Sequence, residues 1–412
     1  PTVGRANTLL TYKKSISYYM PHTMIPWNII TKYGNPTKSL LVNARIKKVS
    51  KKEVNQQGKK SQARKPFVCA EFEQVMRTFE SMPCIYLSLF LSTIFCFQYN
   101  LISRIDDASK LLKDNIIKNP KVEHQQYLIC TRLCWGKNVT EERDAPLQIV
   151  LGASHPLYCT LMRMGTWLEE WLSRGHEQQT QFAFGYDGYN DEESIKNKAS
   201  SAMIEVLKDP SFVVVLDGPK GTHSIRKMAT NEARKRGCGK NATDHRARWK
   251  TDTRQQDSYA ETTIPTVDAG VAAKLCIGGP IFYRLKLESR ITNDWILTHV
   301  VPCINAQYGP GVANVLGRAL LWRIFDPEQS KVVNPRKVEQ VKNAYGVFSS
   351  RNRLDDGENP VAKIPIIVDQ IEGEVSIEPF FSEEELTQFE NYNTNTDTDT
   401  DTDNNNKFFC VL

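Results

Sequence analysis

Apolar positions along the chain follow two periods. Helical spacing runs through 71–79, 85–97, 105–112, 157–172, 193–207, 223–236, 267–275 and 312–324. Asp209-Pro210 ends the fifth of these, and Gly237 closes the sixth. The segment 127–135 alternates as a strand does, and 147–151 is a short apolar return strand, with the polar stretch 136–146 as the hairpin loop between them. Residues 212–216 (Phe-Val-Val-Val-Leu) read as a short buried strand or extended run. The most apolar run, 84–97, carries Ser88, Ser92 and Thr93. It falls short of the roughly 20 residues that a membrane span needs, so a buried core helix is expected and no membrane partner. The pattern predicts a mostly α fold with a small antiparallel β-sheet, in the α+β class.

The segmentation suggests five regions. Residues 1–45 are helical in pieces, interrupted by Pro21, Pro26 and Pro36, and read as a partial helical domain. A basic linker spans 46–65. Its run of Arg45, Lys47, Lys48, Lys51, Lys52, Lys59, Lys60, Arg64 and Lys65 faces the single acid Glu53. Such a run suits a phosphate backbone, although a merely solvated linker has the same composition. Residues 66–265 form the main domain. From 266 to 368 the pattern is less regular, with turns at Gly278-Gly279-Pro280 and Gly309-Pro310-Gly311, and reads as an extension of unknown role. Residues 369–412 are acidic and low in complexity, ending in a Thr/Asp/Asn repeat that cannot bury a core and is expected to be disordered.

Charge sharpens this picture. The chain of 412 residues is 40% hydrophobic and 24% charged, ordinary for a protein with a sizeable core, and its net charge is +6. Residues 369–412 hold twelve acids and one lysine, net −11, so the rest carries +17. A basic body points to a polyanionic partner, nucleic acid first. The ten cysteines form no CxxC pair and no cluster with histidine, which disfavours a zinc site or a disulfide scaffold and suggests reduced, intracellular thiols. The chain begins at Pro1 rather than Met, as a fragment or processed product would. No GxSxG, Walker A or zinc motif is present.

Candidate chemistry centres on Gly221-Thr222-His223-Ser224-Ile225-Arg226-Lys227. His223 and Arg226, three apart at the start of a helix, share one face. A lone His-x-x-Arg is what many basic surface helices carry, so its surroundings matter. Trp249 lies 23 residues beyond Arg226, and Tyr259 lies 33 beyond it. Arg104 lies 119 residues before His223, and Lys137, at the tip of the predicted hairpin, lies 33 after Arg104. Arg132 and Arg143 compete with Lys137 for the hairpin role, and Tyr283 competes with Tyr259 but lies 57 residues past Arg226.

This set and order resemble the tyrosine recombinase (phage integrase) family, over residues 66–265 for its catalytic domain and more loosely over 1–65 for its core-binding domain. Within that family the chain is similar to recombinase-like genes of protist mobile elements, of retrotransposon and Crypton type. The resemblance implies that Tyr259 attacks a DNA phosphodiester, leaving a 3′-phosphotyrosine and a free 5′-hydroxyl. A phenol with a reference pKa of about 10 needs a base or a positive field to do so near neutrality. Arg104 and Arg226 would clamp the non-bridging oxygens, His223 would assist proton transfer, and Lys137 would protonate the leaving oxygen. Trp249 would donate its indole N–H to the phosphate, and Asp107, three after Arg104, would orient a site residue. The resemblance implies no metal and no cofactor, double-stranded DNA as the partner, and a homotetramer on that DNA. Nuclear residence follows if the source is eukaryotic. Two alternatives stay open: a type IB topoisomerase-like enzyme, and a catalytically inactive DNA-binding relic of a mobile element. The chain departs from the family in having Ile-Ser before Arg104 rather than a small, Gly-containing turn, and Trp at 249 where many members have His.

Overall fold

The structure, a computed structural model, describes residues 5–57, 63–119, 126–135, 139–140, 144–249, 266–352, 358–371 and 374–379. The chain divides into two units, Pro1–Arg64 and Lys65–Leu412.

In the first unit, α1 (Ala6–Tyr18) and α2 (Leu40–Val54) lie side by side in opposite directions. The Ala6 N–H donates to Glu53 Oε1 at 2.6 Å, and Lys13 Nζ donates to Asn43 Oδ1 at 2.6 Å. Asn35 is fully buried in the connecting turns, donating to Ser17 Oγ at 2.7 Å and accepting from the Thr37 N–H at 3.0 Å. Arg45, Lys47, Lys48, Lys51 and Lys52, expected in a linker, instead stand exposed on α2. The reason is local. The Ser39 hydroxyl caps the helix by accepting from the Val42 N–H at 3.3 Å, and no Gly or Pro interrupts 40–54. Lys59 and Lys60 lie outside the described residues. Ala6 is the one buried apolar residue among the described residues of this unit, while Tyr18, Tyr19, Ile29, Ile30, Leu40 and Leu41 are exposed.

The second unit is mostly helical with small antiparallel sheets. Its axis is α4 (Ile85–Asn100), with 14 of 16 residues buried. This is the expected core helix, apolar on every side because it is surrounded on every side. Around it lie α3 (Cys69–Glu80), α5 (Ile105–Ser109), α6 (Thr160–Ser173), α7 (Glu192–Lys208), α8 (Thr222–Lys235) and α9 (Lys240–Arg246). At the end of α8, Gly237 takes φ 90, and the Cys238 N–H reaches back to the Ala233 carbonyl at 3.0 Å, the left-handed cap that glycine allows without strain. Strands β1 (Ile116–Lys118), β2 (Ile129–Thr131) and β3 (Gln148–Val150) form one sheet in that order, and β2 and β3 pair antiparallel with Cys130 opposite Ile149, as a hairpin requires.

Residues 212–216 do not form a buried strand. Val213, Val214 and Val215 are 62, 52 and 59% exposed. Side chains of α3 hold the backbone in place of a partner strand: Gln74 exchanges bonds with Val213, and Glu71 accepts from the Val215 and Leu216 N–H groups at 2.7 and 2.9 Å.

The chain beyond Cys276 is more regular than its turn signals suggest. After α10 (Thr266–Leu275), β5 (Pro280–Leu285) pairs with β4 (Gly152–Ala153), and β6 (Val361–Ile371) and β7 (Glu374–Pro379) complete a second antiparallel sheet in the order β4-β5-β6-β7. Helix α11 (Pro302–Phe325) breaks at Gly309 (φ 73), so the Gly-Pro-Gly signal marks a kink and not a loop. It buries Val312, Leu316 and Leu320 in the same core as α4 and α6. A Cβ on Gly165 of α6 would sit 2.6 Å from the Leu316 carbonyl oxygen, so only glycine permits this approach of the two helices. Helix α12 (Pro335–Asn352) follows. Among the described residues, no helix is long and apolar enough to cross a membrane.

Candidate active site

The site forms where the end of α4, the start of α8 and the residues after α9 meet. At the end of α4 the chain reverses through Ile102, which is fully buried and takes φ 47. A β-branched residue in the left-handed region is strained, at a cost of about 1–3 kcal/mol. Buried Gln98 fixes both neighbours of this turn. Its Nε2 donates to the Ser103 carbonyl at 3.2 Å and to the Thr222 carbonyl at 2.9 Å, tying the approach to Arg104 to the first turn of α8.

Arg104 is the N-cap of α5 and not part of it, and Asp107 sits at the third helical position. The Asp107 carboxylate accepts the Arg104 N–H at 3.0 Å, the usual way an acid at this position satisfies a free helix-end donor. Asp107 is 3% exposed and does more. Its Oδ2 accepts from Arg248 Nη2 at 3.0 Å and lies 3.6 Å from Arg226 Nη1, while Oδ1 lies 4.0 Å from Arg104 Nη1. One buried carboxylate therefore stands among three guanidinium groups.

On α8, the Gly221 N–H donates to Ser224 Oγ at 3.2 Å and Ser224 is fully buried, which sets the helix start, with His223 exposed. Arg226 is 3% exposed. Its Nη2 donates to the Ala247 carbonyl at 2.5 Å, and its guanidinium lies 5.3 Å from the centre of the Trp249 ring, within cation–π range. Its Nε and Nη1 make no hydrogen bond among the described residues. The segment 247–249 is anchored by Arg246, which is 1% exposed and bonded to the carbonyls of Asn100 (2.8 Å) and Ile149 (3.0 Å) and to Asp268.

Electrostatics follow from this crowding. Burial, with Arg248 and Arg104 adding to it and Asp107 opposing, brings the Arg226 pKa down to about 10. It stays charged at neutrality. His223 is exposed, yet partial desolvation, then Arg226, Lys227 and Arg104, pushes it below the ordinary histidine value. His223 is therefore neutral near pH 7 and able to accept a proton.

Of the residues singled out in the sequence, Arg104, Asp107, His223, Arg226 and Trp249 come together. Lys137, its competitor Arg143, and Tyr259 lie outside the described residues. Tyr283 is 3% exposed on β5, its hydroxyl 3.0 Å from Cys159 Sγ, and burial raises its pKa well above the ordinary value. A phenol so placed is structural. Two residues were missed: Arg248, and Gln148, whose Oε1 accepts from Arg248 Nη1 at 2.6 Å. The only available signal for Arg248 was a further cation beside Trp249. The nine described cysteines are free thiols, and among the described residues no group of three His, Cys, Asp or Glu could hold a metal ion.

No protein-family profile matches the chain, and no curated protein matches it. Among solved structures it is similar to one described as a lambda integrase tetramer bound to a Holliday junction, with 11% identity and a TM-score of 0.31, covering 61% of this chain and 66% of that one. The chain thus spans just under two thirds of the length of that structure.

Proposed function

We propose that the protein cleaves and rejoins DNA strands through a 3′-phosphotyrosine intermediate, as a recombinase of a mobile element. The observation that carries this reading is the meeting of Arg104 and Arg226 at Asp107, with Trp249 against Arg226, His223 in their electrostatic neighbourhood, and buried donors of Arg226 left unbonded among the described residues. Such donors suit the non-bridging oxygens of a phosphodiester, to which guanidinium groups bond in pairs. In the proposed step the Tyr259 oxygen bonds to phosphorus and the bond to the 5′-oxygen breaks. The phenolic proton passes to His223, and the leaving oxygen takes a proton from Lys137. Arg104 and Arg226 offset the charge that grows on the non-bridging oxygens. Trp249 holds the Arg226 guanidinium from beneath. Double-stranded DNA is the partner, with the exposed cations of α2 as backbone contacts and a homotetramer as the working assembly.

The test is covalent trapping. The full chain and Tyr259→Phe are incubated with nicked suicide duplexes drawn from a random-sequence library and run on a denaturing gel. A DNA-shifted band that disappears in the variant is the expected result. No band from the wild-type protein, with DNA binding intact, would overturn the strand-cleavage reading.

A further inference from the structure

Arg248 belongs to no part of the motif that drew attention to this site, yet its geometry is the most constrained there. Its backbone takes φ 53, in the left-handed region that residues with a side chain rarely adopt. Such a conformation persists only where the surroundings impose it. Here the side chain, 5% exposed, is held by both terminal nitrogens: Nη1 donates to Gln148 at 2.6 Å and Nη2 to Asp107 at 3.0 Å. The competing pair is looser. Arg226 Nη1 lies 3.6 Å from the same carboxylate oxygen, beyond hydrogen-bonding distance, and Arg226 Nε and Nη1 are unbonded among the described residues although the side chain is 4% exposed. A buried carboxylate among cations binds the one that reaches it best. In this site that cation is Arg248.

We propose that Arg248 is a positioning residue: by taking the Asp107 carboxylate it keeps Arg226 from being clamped there, and so keeps two buried guanidinium donors available for phosphodiester oxygens. The inference rests on reading the site as a phosphate clamp. With Arg248 hydrogen-bonded to Asp107, Arg226 and Arg104 face the same carboxylate only at 3.6 and 4.0 Å, so their charges are only partly offset. Without Arg248, the carboxylate is free to close on Arg226 and cancel one of them.

The probe is inorganic sulfate, titrated calorimetrically into the 412-residue chain at constant ionic strength. Arg248→Gln is expected to weaken sulfate binding about tenfold, a coupling typical of charged neighbours. Adding Asp107→Asn removes the carboxylate that would clamp Arg226, and the double variant is expected to return to within about threefold of wild type. A purely structural arginine gives no such recovery. Far-UV circular dichroism checks that each variant folds. If Arg248→Gln does not, Arg248→Lys carries the test, because its single amine cannot span Gln148 and Asp107, and an intermediate affinity is expected. The proposal is overturned if wild type binds no sulfate, if Arg248→Gln (or Arg248→Lys in its place) binds as wild type does, or if the double variant is as weak as Arg248→Gln. Covalent trapping separates the two readings. The predicted sulfate order without any DNA adduct leaves the positioning role standing and removes strand cleavage, while an adduct without the sulfate order does the reverse.

Discussion

Replacing Arg246 by Met should cost the second unit about 4 kcal/mol, within the range for breaking one side of a buried ion pair. The figure comes from what the side chain leaves behind. Arg246 donates to the Asn100 carbonyl at the end of α4, to the Ile149 carbonyl in β3 and to Asp268 in α10, and its own carbonyl accepts from Gln148 Nε2 at 2.8 Å. Methionine fills most of the volume but offers no donor. Asp268, 1% exposed, would keep only its bond from the Ile149 N–H at 2.6 Å among those described, and would be a buried anion without its cation. Adding Asp268→Asn removes that charge while an amide oxygen still accepts from Ile149. The double variant should therefore regain about 2 kcal/mol, since removing both partners of a buried bond costs less than stranding one. Equilibrium urea unfolding followed by far-UV circular dichroism measures both. With a slope of about 3 kcal/mol/M, the single variant's midpoint should fall by a little over about 1 M. A loss below about 1 kcal/mol, or a double variant no more stable than Arg246→Met, would refute the argument that Arg246 and Asp268 act as one buried unit.

Three further outcomes follow from the same structure. Gly237→Ala should cost about 1 kcal/mol in urea unfolding, because φ 90 strains any side chain even though no atom lies within 4 Å of the added carbon. Glu71→Ala should cost about 3 kcal/mol and admit limited proteolysis within 212–221, because this fully buried carboxylate accepts from the Val68, Val215 and Leu216 N–H groups and pairs with Lys220 at 3.0 Å. His223, held below the ordinary histidine value of about 6.5, should stay an effective base below neutrality, so the acid limb of the adduct-formation rate should lie below that value. In stability terms the unfolded histidine takes up its proton first as pH falls. His223 should therefore lower stability progressively from about pH 6.5 down to its folded value and by a constant amount below it, and His223→Gln should remove that slope in pH-dependent urea unfolding.

Local pattern carried much of this architecture. The apolar run of 85–97 marks the central helix, Gly237 ends α8 where expected, and the 127–151 hairpin pairs as its alternation implies. Arg104, Asp107, His223, Arg226 and Trp249 were legible because their order along the chain resembles that of one enzyme family. What was not legible depends on contacts distant in sequence. The exposure of 213–215 is set by Gln74 and Glu71, more than 130 residues earlier. The order of the chain after 276 comes from β5 pairing with Gly152 and Ala153 and from α11 lying against Gly165. Arg248 was invisible for another reason. Its role depends on a left-handed backbone that turns the side chain onto Asp107, and nothing in an Arg-Trp dipeptide announces that conformation.

On the proposed function, strain and charge in the site serve one end. The two left-handed residues, Ile102 and Arg248, stand on either side of the clamp, two residues before Arg104 and one before Trp249. Rigid supports hold both: Gln98 on the Arg104 side, and Arg246 with Gln148 on the other. The guanidinium groups are thereby held close together against their mutual repulsion, which adds to burial in making Arg226 release its proton more readily than an ordinary arginine. Asp107 offsets one charge and leaves the others. A phosphodiester, with one negative charge, relieves part of that repulsion. A pentacoordinate transition state, with more charge on the same oxygens, relieves more of it, and the donors need no reorganisation to meet it. A clamp built this way favours the transition state over the bound substrate through fixed geometry alone, so loosening either support should slow adduct formation more than it weakens DNA binding.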